Sequence, residues 1–410
     1  MKKNSLGLIP LIAITLLSCN NSKEKTMNEY EKGTFGYDWQ YLSRKDDRLV
    51  VLKSDDAGAQ ILVSPKYQAK VFTSTAGGPD GASLGYLNYE ALDAKATNEH
   101  MNGYGGENRF WLGPEGGKFS VYFKPGAEQV YDNWHTPKPI DIEPWTVMNA
   151  GGKSVTMEKT MNVTNYQGTL LSLKIDRTIK LLSYPEISSK LGISLNVDIK
   201  AVAYATENSI TNLNNFAWTV ETGTICIWIL DMFNPGPEAV TIVPFISGDE
   251  KELGPVATTN YFGEIPASHF RLKNDFAFLK TDGKYRSKIG MNAKRTKAIA
   301  GNYDPDTKRL TVSTFDVDPN AVYLNQEWNP MKDPLTGDAL NAYNDGPLED
   351  GSIMGPFLEL ESASPGAFIV PNESLRHNHN VYHFTGEEKS LSEITKKLFG
   401  ISIDEINSIF

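Results

Sequence analysis

Cysteine is almost missing from this chain, which has two in 410 residues, Cys19 and Cys226. That excludes a disulfide-stapled scaffold and any metal site built from several thiolates. A surplus of positive charge is missing too: 40 Lys+Arg stand against 50 Asp+Glu, for a net charge of −10. Nucleic acid and anionic membrane faces are met through positive potential, so no nucleic-acid partner is expected. Long apolar runs are scarce, and the one at Leu6–Leu17 is interrupted by Pro10 and too short to span a membrane. Helical periodicity is thin as well: Leu84–Lys95 is a weak candidate, and only Ser390–Phe410 places Leu391, Ile394, Leu398, Ile401 and Ile406 near helical spacing. No repeat of solenoid or propeller period is found.

What the chain does have is strand and turn chemistry. It holds 34 Gly, 22 Pro, 18 Phe, 18 Tyr and 7 Trp, with 40% hydrophobic residues, enough for one large core. Strand-like runs bounded by Gly, Pro, Asn or Asp recur from Arg48–Leu52 through Phe119–Phe123, Ile193–Ala203 and Thr224–Met232 to Leu375–Phe384. The reading is an all-β antiparallel domain over 34–385 with a helical C-terminal segment over 386–410. Ahead of it, Lys2, Lys3, the short apolar run and Ser18-Cys19 read as a signal peptide over 1–18. Leu16-Leu17-Ser18-Cys19 resembles the lipobox of bacterial lipoproteins, which implies lipidation at Cys19, a polar tether over 19–33, and an outer-membrane protein on either face of that membrane. The lone Cys226 sits in an apolar run and reads as core filling.

Four blocks carry candidate chemistry. Asn102–Gly117 packs six glycines and a proline into sixteen residues, and the tight turns expected there would present Asn108, Arg109, Trp111 and Glu115. Carboxylates, amides and guanidinium bind sugar hydroxyls, and tryptophan stacks on a pyranose face. The block matches neither a dinucleotide nor a P-loop fingerprint, and no cofactor is expected. A structural Arg109–Glu115 ion pair is the alternative. A second block, Tyr131–His135 with Glu143-Pro-Trp145, offers His135 and Trp145 as a widened platform or as core-edge packing.

The third block runs from Asn341 through Tyr343, Asn344 and Asp345 to Glu359 and Glu361. On a strand Glu359 and Glu361 share a face with Cα atoms roughly 6.6–6.8 Å apart, close enough for one carboxyl to be pushed up for acid or base work. The alternative is two solvated carboxylates on a wet sheet face. In the fourth block His377 and His379 share one strand face with His383 further along it. They suit proton transfer, a Zn²⁺ site short of a third ligand, or a polar face without chemistry.

Together these blocks look like the galactose mutarotase-like family. Phe357-Leu358-Glu359-Leu360-Glu361, with Ser364-Pro365 and Val370-Pro371-Asn372-Glu373 after it, is similar to the leucine-glutamate-threonine-glutamine segment of aldose 1-epimerases. Asn108-Arg109 is similar to the family's asparagine-arginine pair. The resemblance implies a β supersandwich with a carbohydrate ligand in its concave face, Glu359 as catalytic base, Glu361 in the position of the glutamine, and Arg109 on sugar hydroxyls. The family's histidine-x-tyrosine-phenylalanine-asparagine segment has no match, because Thr211–Phe216 stands there without a histidine. His269, His377, His379 and a protonated Glu361 are the candidates to supply the missing acid. The chain also resembles envelope lipoproteins of Bacteroidetes, which implies glycan utilisation. Acid/base action on a sugar, simple carbohydrate binding, glycan lysis or hydrolysis, and an envelope scaffold all stay open.

Overall fold

The computed structural model describes residues 30–56, 58–348 and 350–410. The signal segment over 1–18, Cys19 and most of the tether lie outside the described residues. Two antiparallel sheets make up the body. The first has eight strands, in spatial order β1 (Val50–Lys53), β2 (Gln60–Ser64), β3 (Lys70–Thr75), β4 (Asn108–Gly113), β9 (Cys226–Phe233), β17 (Leu358–Ala363), β16 (Asp338–Asn344) and β13 (Ser287–Asn292). The second has ten, in order β11 (Phe270–Lys273), β12 (Phe276–Lys280), β10 (Val240–Pro244), β14 (Ile299–Asp304), β15 (Arg309–Phe315), β18 (Ser374–Thr385), β8 (Lys200–Asn212), β7 (Leu170–Leu181), β6 (Ser154–Thr164) and β5 (Thr146–Gly151). This is the all-β, two-sheet architecture that the sequence led us to expect.

Strand alternation decides what each face does. Phe110, Leu112, Ile227, Ile229, Leu358 and Leu360 point from the first sheet into a core shared with Ile175, Val202, Tyr204 and Val381 of the second. Full burial of each such side chain contributes on the order of 1.5–3 kcal/mol. The outer face of the second sheet is apolar too, and helices α3 (Tyr184–Leu191), α5 (Glu388–Leu398) and α6 (Ile403–Asn407) cover it through Ile187, Leu391, Ile394, Ile403 and Ile406. On the first sheet the helix Phe35–Ser43 covers only the β2–β3 end, packing Phe35 and Leu42 against Leu62 and Phe72, and the outer face of β4, β9, β17, β16 and β13 becomes the floor of a cleft.

Several local expectations need correction. Asn108–Gly113 is a fully buried central strand, where the glycine content had suggested turns. Its alternation of Arg109 and Trp111 with Phe110 and Leu112 is a strand signal, hidden by glycines on both flanks. Phe119–Phe123 forms no strand, and the expected strand over Ile193–Ala203 starts only at Lys200. Just before it, Ser183 and Glu186 form a capping box and Gly192 closes α3 in the left-handed region, at φ 65°. The helical C-terminus is present as α5 and α6, separated at Gly400 with φ 80°. Among the described residues no helix is long and apolar enough to cross a membrane.

Candidate functional site

The cleft floor is a lattice of outward-facing side chains in register. Arg109 of β4 lies opposite Leu230 of β9, which lies opposite Glu361 of β17. One step along, Trp111 faces Trp228, and on the other side Glu359 is flanked by Met232 and Tyr343. Lys288 of the edge strand pairs with Tyr343. Strands about 4.8 Å apart therefore bring side chains from five strands, three of which carry charge, within one ligand's reach. Residues 88–103, Trp134, Phe262, Trp328 and Met354 rise around this floor, enclosing about 650 Å³. That volume suits a small organic ligand or one to a few sugar rings.

The walls are aromatic and braced. Four of the chain's seven tryptophans, Trp111, Trp134, Trp228 and Trp328, line the cleft. Trp134 stacks between Tyr122 and Trp328, each 6.0 Å away, and Trp111 meets Trp228 edge-on at 5.6 Å. Rings held in this way offer stacking faces at little ordering cost.

Charge is arranged unevenly on the floor. Glu359 forms an ion pair with Arg109, whose guanidinium carbon lies 5.4 Å from the Trp111 ring centroid. Burial pushes the Glu359 carboxyl up to about 7; Arg109 pulls against that shift and Glu361 reinforces it. Glu361 is held differently, by Lys288 Nζ at 3.0 Å and Trp228 Nε1 at 2.9 Å, both on Oε2. Burial lowers the Lys288 ammonium, but the Glu361 and Glu115 carboxylates outweigh it, and the net shift is upward. Glu115 is a third carboxyl in the cleft, raised to about 7 by burial, with Lys288 opposing the shift and Glu361 adding to it. Behind Arg109, burial and the Arg109 charge bring the Lys70 amine down to about 7. Arg109 Nε, Glu361 Oε1 and Trp134 Nε1 are buried with no partner among the described residues. Such unmet atoms around one cavity mark where a polar ligand or water would be satisfied.

Of the residues singled out in the sequence, Arg109, Trp111, Glu115, Tyr343, Glu359 and Glu361 line the cleft together. Arg109 takes Glu359 as its partner, and Glu115 makes no ion pair with it. The others lie elsewhere. His377 and His379 do share a face with His383, but that face of β18 looks into the space between the sheets. There Ser362 Oγ bridges His377 Nε2 and His379 Nδ1, each at 2.8 Å, and His379 Nε2 reaches Asp231 Oδ2 at 2.7 Å. Neither histidine can give a proton to a ligand in the cleft. Asn108 points the same way, donating to Asp231 at 2.6 Å and accepting from the buried Arg177. Trp145 is core, with its indole donating to Pro139 at 3.0 Å. His135 stacks on His100 outside the cleft, and Asp345 sits beneath Tyr343, accepting from its hydroxyl at 2.9 Å. His269 pairs with Asp282 at 3.3 Å, away from the floor.

Sequence reasoning missed Trp228, Arg286, Lys288 and Trp328. Trp228 had been absorbed into an apolar run, although its register opposite Trp111 gives it a second role. Lys288 follows the alternation of Ser287–Asn292, yet nothing local says that it faces Glu361.

Two antiparallel sheets, with a charged and aromatic cleft on the open face of one, define a β-supersandwich protein with a candidate ligand site. The chain belongs to the family of unknown function DUF6786, which matches residues 33–410. No curated protein matches it. Similar solved structures include the Slr1438 protein of Synechocystis, at 13% identity and TM-score 0.49, covering 83% of this chain and 96% of that one. A putative aldose 1-epimerase from Escherichia coli has 12% identity and TM-score 0.46, with coverage of 82% and 98%. A galactose mutarotase-like protein from Lactobacillus casei has 12% identity and TM-score 0.48, with coverage of 82% and 99%.

Proposed function

We propose that this chain binds a sugar or glycan in the cleft and acts on it by acid/base chemistry, with Glu359 as base and Glu115 as acid. The observation that carries this reading is that two carboxyl groups, both poised near 7, share one tryptophan-walled cavity. A group that titrates near working pH both accepts and returns protons readily. At an anomeric centre, ionised Glu359 takes the hydroxyl proton while protonated Glu115 gives one to the ring oxygen. The ring opens, the aldehyde turns, and the reverse transfers close it in the other configuration. Arg109 offers its unpartnered Nε to a hydroxyl, and Glu361, fixed by Lys288 and Trp228, accepts another at Oε1. The signal and lipobox pattern ending at Cys19 supports a lipid-anchored envelope protein, with this domain held at the membrane by its tether.

A proton NMR time course on freshly dissolved aldoses and oligosaccharides tests the reading. Faster exchange between anomers is the expected result. New reducing ends would replace epimerisation with hydrolysis. No effect on the rate or linewidth of any sugar would remove the carbohydrate reading altogether.

A further inference from the structure

Three cations line the cleft, and two of them have carboxylate partners: Arg109 with Glu359, and Lys288 with Glu361 at 3.0 Å. The third, Arg286, makes no ion pair among the described residues. Its position is nonetheless fixed. The guanidinium carbon lies 3.8 Å from the Phe262 ring centroid, Nε donates to the Tyr343 hydroxyl at 3.2 Å, and Phe262 meets Tyr343 edge-on at 5.9 Å. The Tyr343 hydroxyl donates onward to Asp345, and Asp345 is further occupied by the Gly355 amide at 2.7 Å. Arg286 is therefore stacked and oriented through Nε, and its two terminal nitrogens have no acceptor among the described residues. A guanidinium held by its ring face and its Nε presents the remaining edge as a fork for two oxygens.

The position suits a substituent that is not reacting. Arg286 precedes edge strand β13 and lies on the same face as Lys288, two residues on, so it flanks the carboxylate floor on the side of Tyr343. A sugar ring over Glu359 would place an exocyclic group toward it.

We propose that the cleft selects a sugar carrying an anionic oxygen group, a carboxylate, phosphate or sulfate, and that Arg286 is the residue that receives it. This rests on the carbohydrate reading above and adds the charge class of the ligand. Uronic acids and sugar phosphates both offer the required pair of oxygens.

The test is isothermal titration calorimetry on the whole protein with matched probes: galactose against galacturonate, glucose against glucuronate, and glucose against glucose 6-phosphate. At least one acidic member is expected to bind roughly tenfold or more tightly than its neutral partner, as a charge-assisted fork provides. Arg286→Gln is expected to bring that ratio to about one, and Arg286→Lys to restore part of it, both with melting curves close to wild type. A uronate or a phosphate as the preferred probe identifies which anion is read. Equal binding of neutral and acidic sugars would overturn the inference and leave the carbohydrate reading intact. A preference that survives Arg286→Gln would overturn the assignment to this residue. Binding of none of the five probes would overturn both.

Discussion

The pair of carboxyl groups near 7 makes a quantitative demand on any pH–rate profile. If Glu359 works ionised and Glu115 protonated, both held at about 7, the productive form is about a quarter of the protein at neutral pH. Two pH units to either side it falls to about a hundredth, so turnover drops roughly 25-fold on each limb. The bell is narrow, and its limbs can be separated by substitution. Glu115→Gln removes the donor, so turnover falls roughly 100-fold or more, and the residual rate rises through about 7 to a plateau with no alkaline limb. Anomer exchange followed by NMR from about pH 5 to about pH 9, in wild type and Glu115→Gln, measures this directly. A flat wild-type profile across that range would refute the reasoning. An alkaline limb that persists in Glu115→Gln would take the acid role from Glu115, and loss of the acid limb instead would exchange the two roles.

The buried inter-sheet network predicts effects of a different kind. Burial, with His379 adding to it, holds the His377 imidazole down to about 3, so below about 6.5 the unfolded chain takes up a proton that the folded chain does not. Stability therefore falls as pH falls through that window, by about 2 kcal/mol at about pH 5, and His377→Gln should remove this component from urea unfolding; an identical pH slope in the variant would disprove it. Asp231 accepts hydrogen bonds from Asn108, Ser313 and His379 at 2.6–2.7 Å, so Asp231→Asn should lose about 2–4 kcal/mol of stability while ligand affinity measured well below the melting point holds; lost affinity at unchanged stability would contradict the separation of network and cleft. At Gly116 an added Cβ would lie 2.4 Å from the Glu327 carbonyl oxygen and 2.7 Å from Trp328 Cα. Gly116→Ala should displace Trp328 and weaken sugar binding roughly three- to tenfold, with quenching of tryptophan fluorescence by titrated sugar as the readout; unchanged affinity would mean that Trp328 is not part of the sugar platform.

The fold class was legible because burial on one face imposes period-two alternation over many short segments. Faces proved harder to read than strands. Glu359 and Glu361 share a face, as do His377 and His379, but one pair opens onto the cleft and the other is sealed between sheets. The local patterns are alike, and only the neighbouring layer distinguishes them: helices cover the outer side of β18, and nothing comparable covers β17. Arg109 and Glu359 are 250 positions apart in the chain, so their pairing is a property of strand order that no local motif contains. Lys288, Arg286 and Trp328 escaped notice for the same reason. Each belongs to an unremarkable segment and gains a role only when β13, β16 and β17 line up.

The central claim is that Glu359 does chemistry in a cleft that binds sugar without depending on that chemistry. The most direct measurement sets ligand affinity beside turnover in Glu359→Gln. Gln preserves the shape and still accepts a hydrogen bond from Arg109, so affinity within about threefold of wild type is predicted, with turnover lost by a factor of roughly 100 or more. Turnover near the wild-type level in this variant would contradict the account.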